Sequence, residues 1–171
     1  MITIRPETTE DYDAIHRVNF TTFGKENEPH LVETLRQAAD AIPELSLVAV
    51  VEGQVVGHIL FSLITIEIQN GSVPALSLAP LAVLPEFQNQ GIGSALVQSG
   101  LKECQRLGHG IVIVLGHPGF YPRFGFTPAR ARGIDSPFDV SDDVWMALEL
   151  RPGALDGVRG RAKYPPAFDE V

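Results

Sequence analysis

Cysteine and positive charge are both scarce in this chain of 171 residues. Its single cysteine, Cys104, permits no intramolecular disulfide and suggests no thiolate metal site. No set of His, Asp or Glu has metal-ligand spacing either, so we predict no bound metal. Lys and Arg number 13 against 21 acidic residues, which gives a net charge of −8. Because this balance cannot neutralise phosphates broadly, we expect no nucleic-acid partner.

Long hydrophobic runs are also missing. No stretch approaches the length of a membrane span, and residues 1–6 lack the layout of a signal peptide. We therefore expect a cytoplasmic protein with no membrane partner. Hydrophobic residues make up 44% of the chain, which is ordinary for a globular domain. We predict a single domain over residues 1–150, with residues 151–171 as an irregular C-terminal extension packed on it.

Apolar residues recur at strand and helix periods along most of the chain, and the dipeptide Asn70-Gly71 predicts a hairpin. Strand patterns cover residues 2–5, 45–51, 55–68, 75–84, 111–115 and, last, 144–150. Helical patterns begin near residues 9, 28 and 91, with a short helix within 118–124. The fully apolar run at 111–115 is typical of a parallel pair. We predict an α+β fold, with a mixed, mostly antiparallel central sheet flanked by helices.

The most informative segment joins the end of a predicted strand, Leu81-Ala82-Val83, to a helix that begins at two glycines. The connecting turn reads Gln88-Asn89-Gln90-Gly91-Ile92-Gly93-Ser94. Backbone N–H groups at a helix start lack internal partners, and the helix dipole favours negative charge there. A phosphate or pyrophosphate therefore fits this turn. A dinucleotide fingerprint would need a third glycine where Leu96 stands, and a P-loop would need a lysine after its glycine, so both of these interpretations are disfavoured.

Two segments carry a family resemblance. Gln88 to Gly93 resembles the Q/R-x-x-G-x-G/A motif of the GNAT N-acetyltransferase superfamily, of the bacterial type. Tyr121-Pro-Arg-Phe-Gly-Phe126 resembles the Tyr-x-x-x-Gly-Phe segment that follows the family's fifth strand. The two motifs occur in the family's order, and the resemblance spans Ile2 to Leu150. It implies the GNAT acyl-CoA N-acyltransferase fold, with acetyl-CoA as co-substrate.

The resemblance also implies residue roles. Backbone N–H groups from Gln88 through Ser94 would hold the pyrophosphate of CoA. The main chain of Leu81, Ala82 and Val83 would contact the pantetheine arm, and the Leu81 N–H would polarise the acetyl carbonyl. Tyr121 would act as general acid toward the departing thiolate, since a phenol is protonated at neutral pH. The alternative for Tyr121 is a structural tyrosine.

The general base is left open. Ser77 stands where some family members have a glutamate, and serine cannot serve alone. His58 has a suitable pKa, although a lone strand histidine is more often structural. His117 either contacts the cofactor or closes a turn. Glu26 and Glu28 either attract an ammonium or are ordinary acids at a helix start.

We therefore expect an enzyme that moves an acetyl group from acetyl-CoA to a primary amine by direct attack. Its partner would be a small-molecule or peptide amine. The sequence leaves the oligomeric state open, and a homodimer is one candidate because dimers are frequent among similar proteins. The alternative is a non-catalytic acyl-CoA-binding sensor or interaction module, and the absence of a carboxylate at Ser77 supports it. A nucleotide-binding protein is a third class. The identity of the acceptor amine does not follow from the sequence.

Overall fold

Two long strands, β3 (Gln54–Ile68) and β4 (Gly71–Val83), follow each other along the chain and are neighbours in the sheet. Only two residues connect them, as expected of the predicted hairpin. The structure is a computed structural model that describes residues 1–171. It divides the chain into two compact units, and both long strands contribute to each. The first unit consists of Met1–Ser62, Ala79–Glu103 and Pro166–Val171, and the second of Leu63–Leu78 and Cys104–Pro165.

The first unit contains an antiparallel set of strands and the helices. Strand β1 (Ile2–Pro6) pairs with β2 (Ser46–Val51), and β2 pairs with β3, both in antiparallel register. None of the helices has the length and apolarity that a membrane crossing requires. The elements are β1 (Ile2–Pro6), α1 (Tyr12–Phe23), α2 (Asn27–Gln37), β2 (Ser46–Val51) and α3 (Ile92–Arg106), whose last residues belong to the second unit.

Helix α3 buries the apolar stripe that its sequence predicts. Ile92 and Leu96 are buried, and Gly100 lies directly against the Phe61 ring. A Cβ at Gly100 would come within 2.3 Å of Phe61 Cε1. Glycine is therefore required at this position because the helix and the sheet approach too closely for a side chain.

The second unit is built around Trp145, which is fully buried. Its indole N–H donates to the Ile134 carbonyl at 3.0 Å, so burial leaves no polar group unsatisfied there. Strand β5 (Ile111–Leu115) is parallel to β4, as predicted, and antiparallel to β8 (Trp145–Glu149). The strands of this unit that follow β4 are β5 (Ile111–Leu115), β6 (Thr127–Pro128), β7 (Ile134–Asp135), β8 (Trp145–Glu149) and β9 (Gly160–Lys163).

The predicted α+β class with a largely antiparallel sheet is confirmed. One local expectation was wrong. The C-terminal segment is not wholly irregular, because β9 pairs with β3 antiparallel and with β7 parallel. The short helix expected within residues 118–124 is present as a 3-10 helix, Tyr121–Phe124. The division into residues 1–150 and 151–171 stays a prediction.

Candidate functional site

The turn after β4 combines left-handed backbone with a helix start. Asn89 has φ +63° and Gly91 has φ +86°, a region that asparagine and glycine enter at least cost. A Cβ built at Gly91 would meet nothing within 4 Å. Glycine is therefore suited to this position by its backbone and not by a shortage of space.

The first turn of α3 presents unpaired donors. Ala95 N–H donates to the Gly91 carbonyl at 3.0 Å, which is the first hydrogen bond of the helix. The N–H groups of residues 92–94 precede it and have no partner within the helix. Together with the helix dipole they form a site for an anion. Gln88 differs from these residues, because its own N–H donates to the Pro85 carbonyl at 3.3 Å.

The end of β4 offers further backbone donors. Leu84 N–H donates to the Val56 carbonyl of β3 at 2.9 Å. Because the peptide groups of successive residues in a strand point to opposite edges, the N–H groups of Val83 and Leu81 point away from β3. They are available to a ligand that lies along this edge of the strand.

Close packing holds the start of α3 to the end of β4 within the first unit. A Cβ added at Gly57 would lie 3.0 Å from Leu96 Cδ1 and 3.3 Å from the Ala82 carbonyl oxygen. Ile92 and Ala82 are themselves buried. The structure therefore brings the predicted residues 81–83 and 88–94 together in one unit.

Tyr121 belongs to the second unit, where it begins the 3-10 turn after β5. Its ring packs edge-on against Phe120 and Phe126, with centroid distances of 5.0 and 5.7 Å. A Cβ at Gly116 would come within 2.3 Å of the Tyr121 ring. Burial raises the pKa of Tyr121 to about 12, so the phenol keeps its proton throughout the neutral range. This state is the one that a general acid requires.

Ser77 is part of a packed polar pair in the second unit. Its side chain is buried and hydrogen-bonds to Tyr164. The Tyr164 ring lies 5.1 Å from Phe138 and 6.3 Å from Trp145 between ring centroids. Burial raises the pKa of Tyr164. Ser77 thus has a structural partner and offers no proton acceptor comparable to a carboxylate.

His58 is not suited to act as a base on a substrate. It is fully buried, with Nδ1 at 3.2 Å from Asn19 Nδ2 and Nε2 at 2.9 Å from Ser46 Oγ. Burial lowers its pKa to about 3, and the Arg36 charge adds to that effect. Glu7 lies 4.0 Å from Nε2, but Arg36 Nε already donates to this carboxylate at 2.7 Å. His58 is therefore a neutral core residue.

The remaining candidate residues have surroundings that are common for structural or surface side chains. Cys104 is buried and His117 is exposed. Glu26 Oε2 lies 3.2 Å from His16 Nε2, and Glu28 Oε1 lies 3.9 Å from Lys25 Nζ. Across residues 1–171, no three His, Cys, Asp or Glu side chains are grouped so that they could hold a metal ion.

Comparison with known proteins agrees with the motifs. Residues 3–129 match the family described as acetyltransferase (GNAT) domain. The chain is 39% identical over 153 residues to the uncharacterized N-acetyltransferase YjhQ of Escherichia coli, covering 86% of this chain and 84% of that protein. The crystal structure of Escherichia coli YhbS, a GNAT family N-acetyltransferase in complex with CoA, superimposes with a TM-score of 0.89 at 30% identity, covering 98% of this chain and 91% of YhbS. A GNAT family acetyltransferase from Brucella melitensis in complex with acetyl-CoA gives a TM-score of 0.80 at 31% identity, covering 99% of each chain.

Proposed function

Because this chain belongs to the GNAT acetyltransferase family, we propose that it transfers the acetyl group of acetyl-CoA to a primary amine by direct attack. One observation carries the proposal. The unpaired N–H groups of residues 92–94 and those of Leu81 and Val83 belong to the same unit, on a turn and a strand end that are packed together. The relatives crystallised with CoA and acetyl-CoA support acetyl-CoA as the ligand.

The donors fit the chemistry of this ligand. A pyrophosphate carries negative charge, which the start of α3 favours through its dipole and its free N–H groups. The pantetheine arm contains amides, which pair with main-chain groups as a neighbouring strand would. An N–H aimed at the acetyl oxygen stabilises the negative charge that develops during attack, an effect of about 3 kcal/mol for one well-placed donor. In the proposal, the Leu81 N–H has this role.

Tyr121 supplies the proton in this proposal. The departing thiolate needs a donor, and the buried phenol remains protonated well above neutral pH. No group with the basicity of a carboxylate stands at Ser77, and His58 is sealed in the core. We therefore propose that the acceptor amine loses its proton to water, or arrives already neutral.

A second function is favoured by one observation, the hydrogen-bonded pair of Ser77 and Tyr164. Because the family resemblance places a glutamate at the position of Ser77 in some members, the fold would also suit a sensor that binds acyl-CoA without transferring the acyl group. Such a protein would keep the anion site and the strand edge and would lack turnover.

The two functions differ in thiol release. The protein is incubated with acetyl-CoA and a panel containing a polyamine, an aromatic amine, a peptide with a free N-terminus and a peptide with an internal lysine. Transfer predicts free thiol above the amine-free control with at least one acceptor. Binding of CoA with no thiol release from any acceptor would support the sensor. Failure to bind CoA would contradict both.

A further inference from the structure

Two side chains from separate parts of the first unit converge on the carbonyl oxygen of Val83, the last residue of β4. Gln88 Nε2 donates to it at 2.9 Å, and Thr22 Oγ1, in the last turn of α1, donates at 3.2 Å. This carbonyl points away from β3, so neither hydrogen bond belongs to the pairing of β4 with β3. Both bonds form at the strand end to which the proposed function assigns acetyl-CoA.

The two donors differ in strength. The Gln88 amide donates one of its two hydrogens to Val83. Thr22 has a single hydroxyl hydrogen, which it shares with the Val18 carbonyl 2.7 Å away in its own helix. A carbonyl oxygen has two lone pairs, so these two side chains fill the hydrogen-bonding capacity of Val83.

The arrangement fixes one peptide group from both sides. The Val83 carbonyl and the Leu84 N–H belong to the same planar unit. Gln88 and Thr22 hold its oxygen, and the Val56 carbonyl of β3 accepts its N–H at 2.9 Å. Rotation of this peptide would break all three contacts. The direction of the adjoining Val83 N–H is thereby restricted as well.

We propose that Thr22 and Gln88 are positioning residues for acetyl-CoA, acting through the Val83 carbonyl. This inference rests on the proposed function. The two side chains keep the end of β4 aligned so that its outward N–H groups meet the pantetheine arm. Gln88 also ties the turn to the strand, since it is the residue that begins the turn. Thr22 extends the same restraint to α1, an element that carries no other residue of the donor site.

The test compares two ligands by calorimetric titration. CoA uses both the turn and the strand edge, whereas the 3′-phosphorylated ADP that remains without the pantetheine arm uses only the turn. Thr22→Val removes the hydroxyl and keeps the shape, Thr22→Ser keeps the hydroxyl, and Thr21→Val makes the same change at an exposed neighbour. Gln88→Met removes the stronger donor, and Gln98→Met is its control on the exposed face of α3.

We expect Thr22→Val to weaken CoA about threefold and Gln88→Met about tenfold, as the loss of one hydrogen bond implies. Thr22→Val should leave the affinity for the arm-free nucleotide within about twofold, and Thr22→Ser should restore CoA binding. The proposal would be overturned if Thr22→Val and Thr21→Val bound CoA with equal affinity. It would also be overturned if Thr22→Val weakened CoA and the arm-free nucleotide by the same factor. The affinities need no turnover, so CoA binding without thiol release contradicts the proposed transfer and not the positioning role.

Discussion

The donor site and the buried polar residues of this protein use their hydrogen-bonding groups in opposite ways. At the end of β4 and the start of α3, main-chain donors are left for a ligand. At His58 and at Ser77, the side chains are closed off by partners within the core. The first region leaves donors for a ligand, which we propose is the acyl donor, and the second leaves no proton acceptor open at His58 or Ser77.

The largest expected effect is on turnover, with no change in the affinity for acetyl-CoA. Tyr121→Phe keeps the ring contacts with Phe120 and Phe126 and removes the hydroxyl. If Tyr121 protonates the leaving thiolate, turnover falls about 100-fold. The affinity for acetyl-CoA, measured by titration, should stay the same. Unchanged turnover would show that Tyr121 is only structural.

Gly91→Val tests whether left-handed backbone shapes the donor site. A β-branched residue at φ +86° costs about 1–2 kcal/mol, and no neighbour would clash with it. We expect the turn to change its path and acetyl-CoA to bind about tenfold more weakly. Gly53→Val is a matched control, since Gly53 has φ +78°, also meets nothing within 4 Å and lies in the turn before β3. Similar losses of affinity in both variants would contradict a specific role for Gly91.

The burial of His58 makes the free energy of unfolding depend on pH, and the direction of this dependence is defined. In the unfolded chain this histidine takes up a proton near its ordinary pKa of 6.5, whereas the folded protein resists protonation down to about pH 3. Its contribution to stability is therefore complete above pH 6.5 and is lost as the pH falls toward 3, by at most about 1.4 kcal/mol per pH unit.

Urea unfolding at several values between about pH 7 and pH 5 checks this expectation, because most carboxylates titrate below that window. His58→Gln should show a shallower fall in the free energy of unfolding than the unmodified protein. The difference between the two curves isolates His58 from the other histidines. Parallel curves would mean that folding leaves the pKa of His58 near its ordinary value, which would contradict the burial of a neutral ring.

The smallest expected effect concerns Ser77. Ser77→Ala removes the partner of Tyr164 and should lower the free energy of unfolding by about 1 kcal/mol. Turnover should stay within about twofold, because the serine is assigned no chemical step. Tyr164→Phe serves as the reciprocal change, and a double-mutant cycle measures the pair. If the folded Ser77→Ala variant lost much more than twofold in turnover, Ser77 would have a part in the reaction.

The sequence predicted those parts of the molecule that depend on local geometry. Gly91 and the strand–turn–helix order around it are local signals, and the apolar stripe of α3 depends only on helical spacing. Partners that are distant in sequence were not predictable. Asn19 and Ser46 enclose His58, and Tyr164 engages Ser77, only after the chain has folded.

Strand β9 was not predicted either, because it too depends on a partner that is distant in sequence. Its residues, Gly160–Lys163, show no strong strand pattern and pair with β3 from far along the chain. Close approach explains the glycine, because a Cβ at Gly160 would overlap the Glu67 carbonyl. Thr22 carries no signal in the sequence because its hydroxyl, at the end of a helical pattern, has its proposed role only through the Val83 carbonyl. Long-range pairing of this kind leaves no periodic trace.

In the proposed function, acetyl-CoA binds through main-chain donors at the end of β4 and the start of α3. Titration of the ¹⁵N-labelled protein with acetyl-CoA, followed by amide NMR, tests it most directly. We expect saturable shifts of the amide signals of Leu81, Val83 and residues 92–94, all with one dissociation constant. Saturable binding that leaves these amides unmoved, or no binding at all, would contradict it.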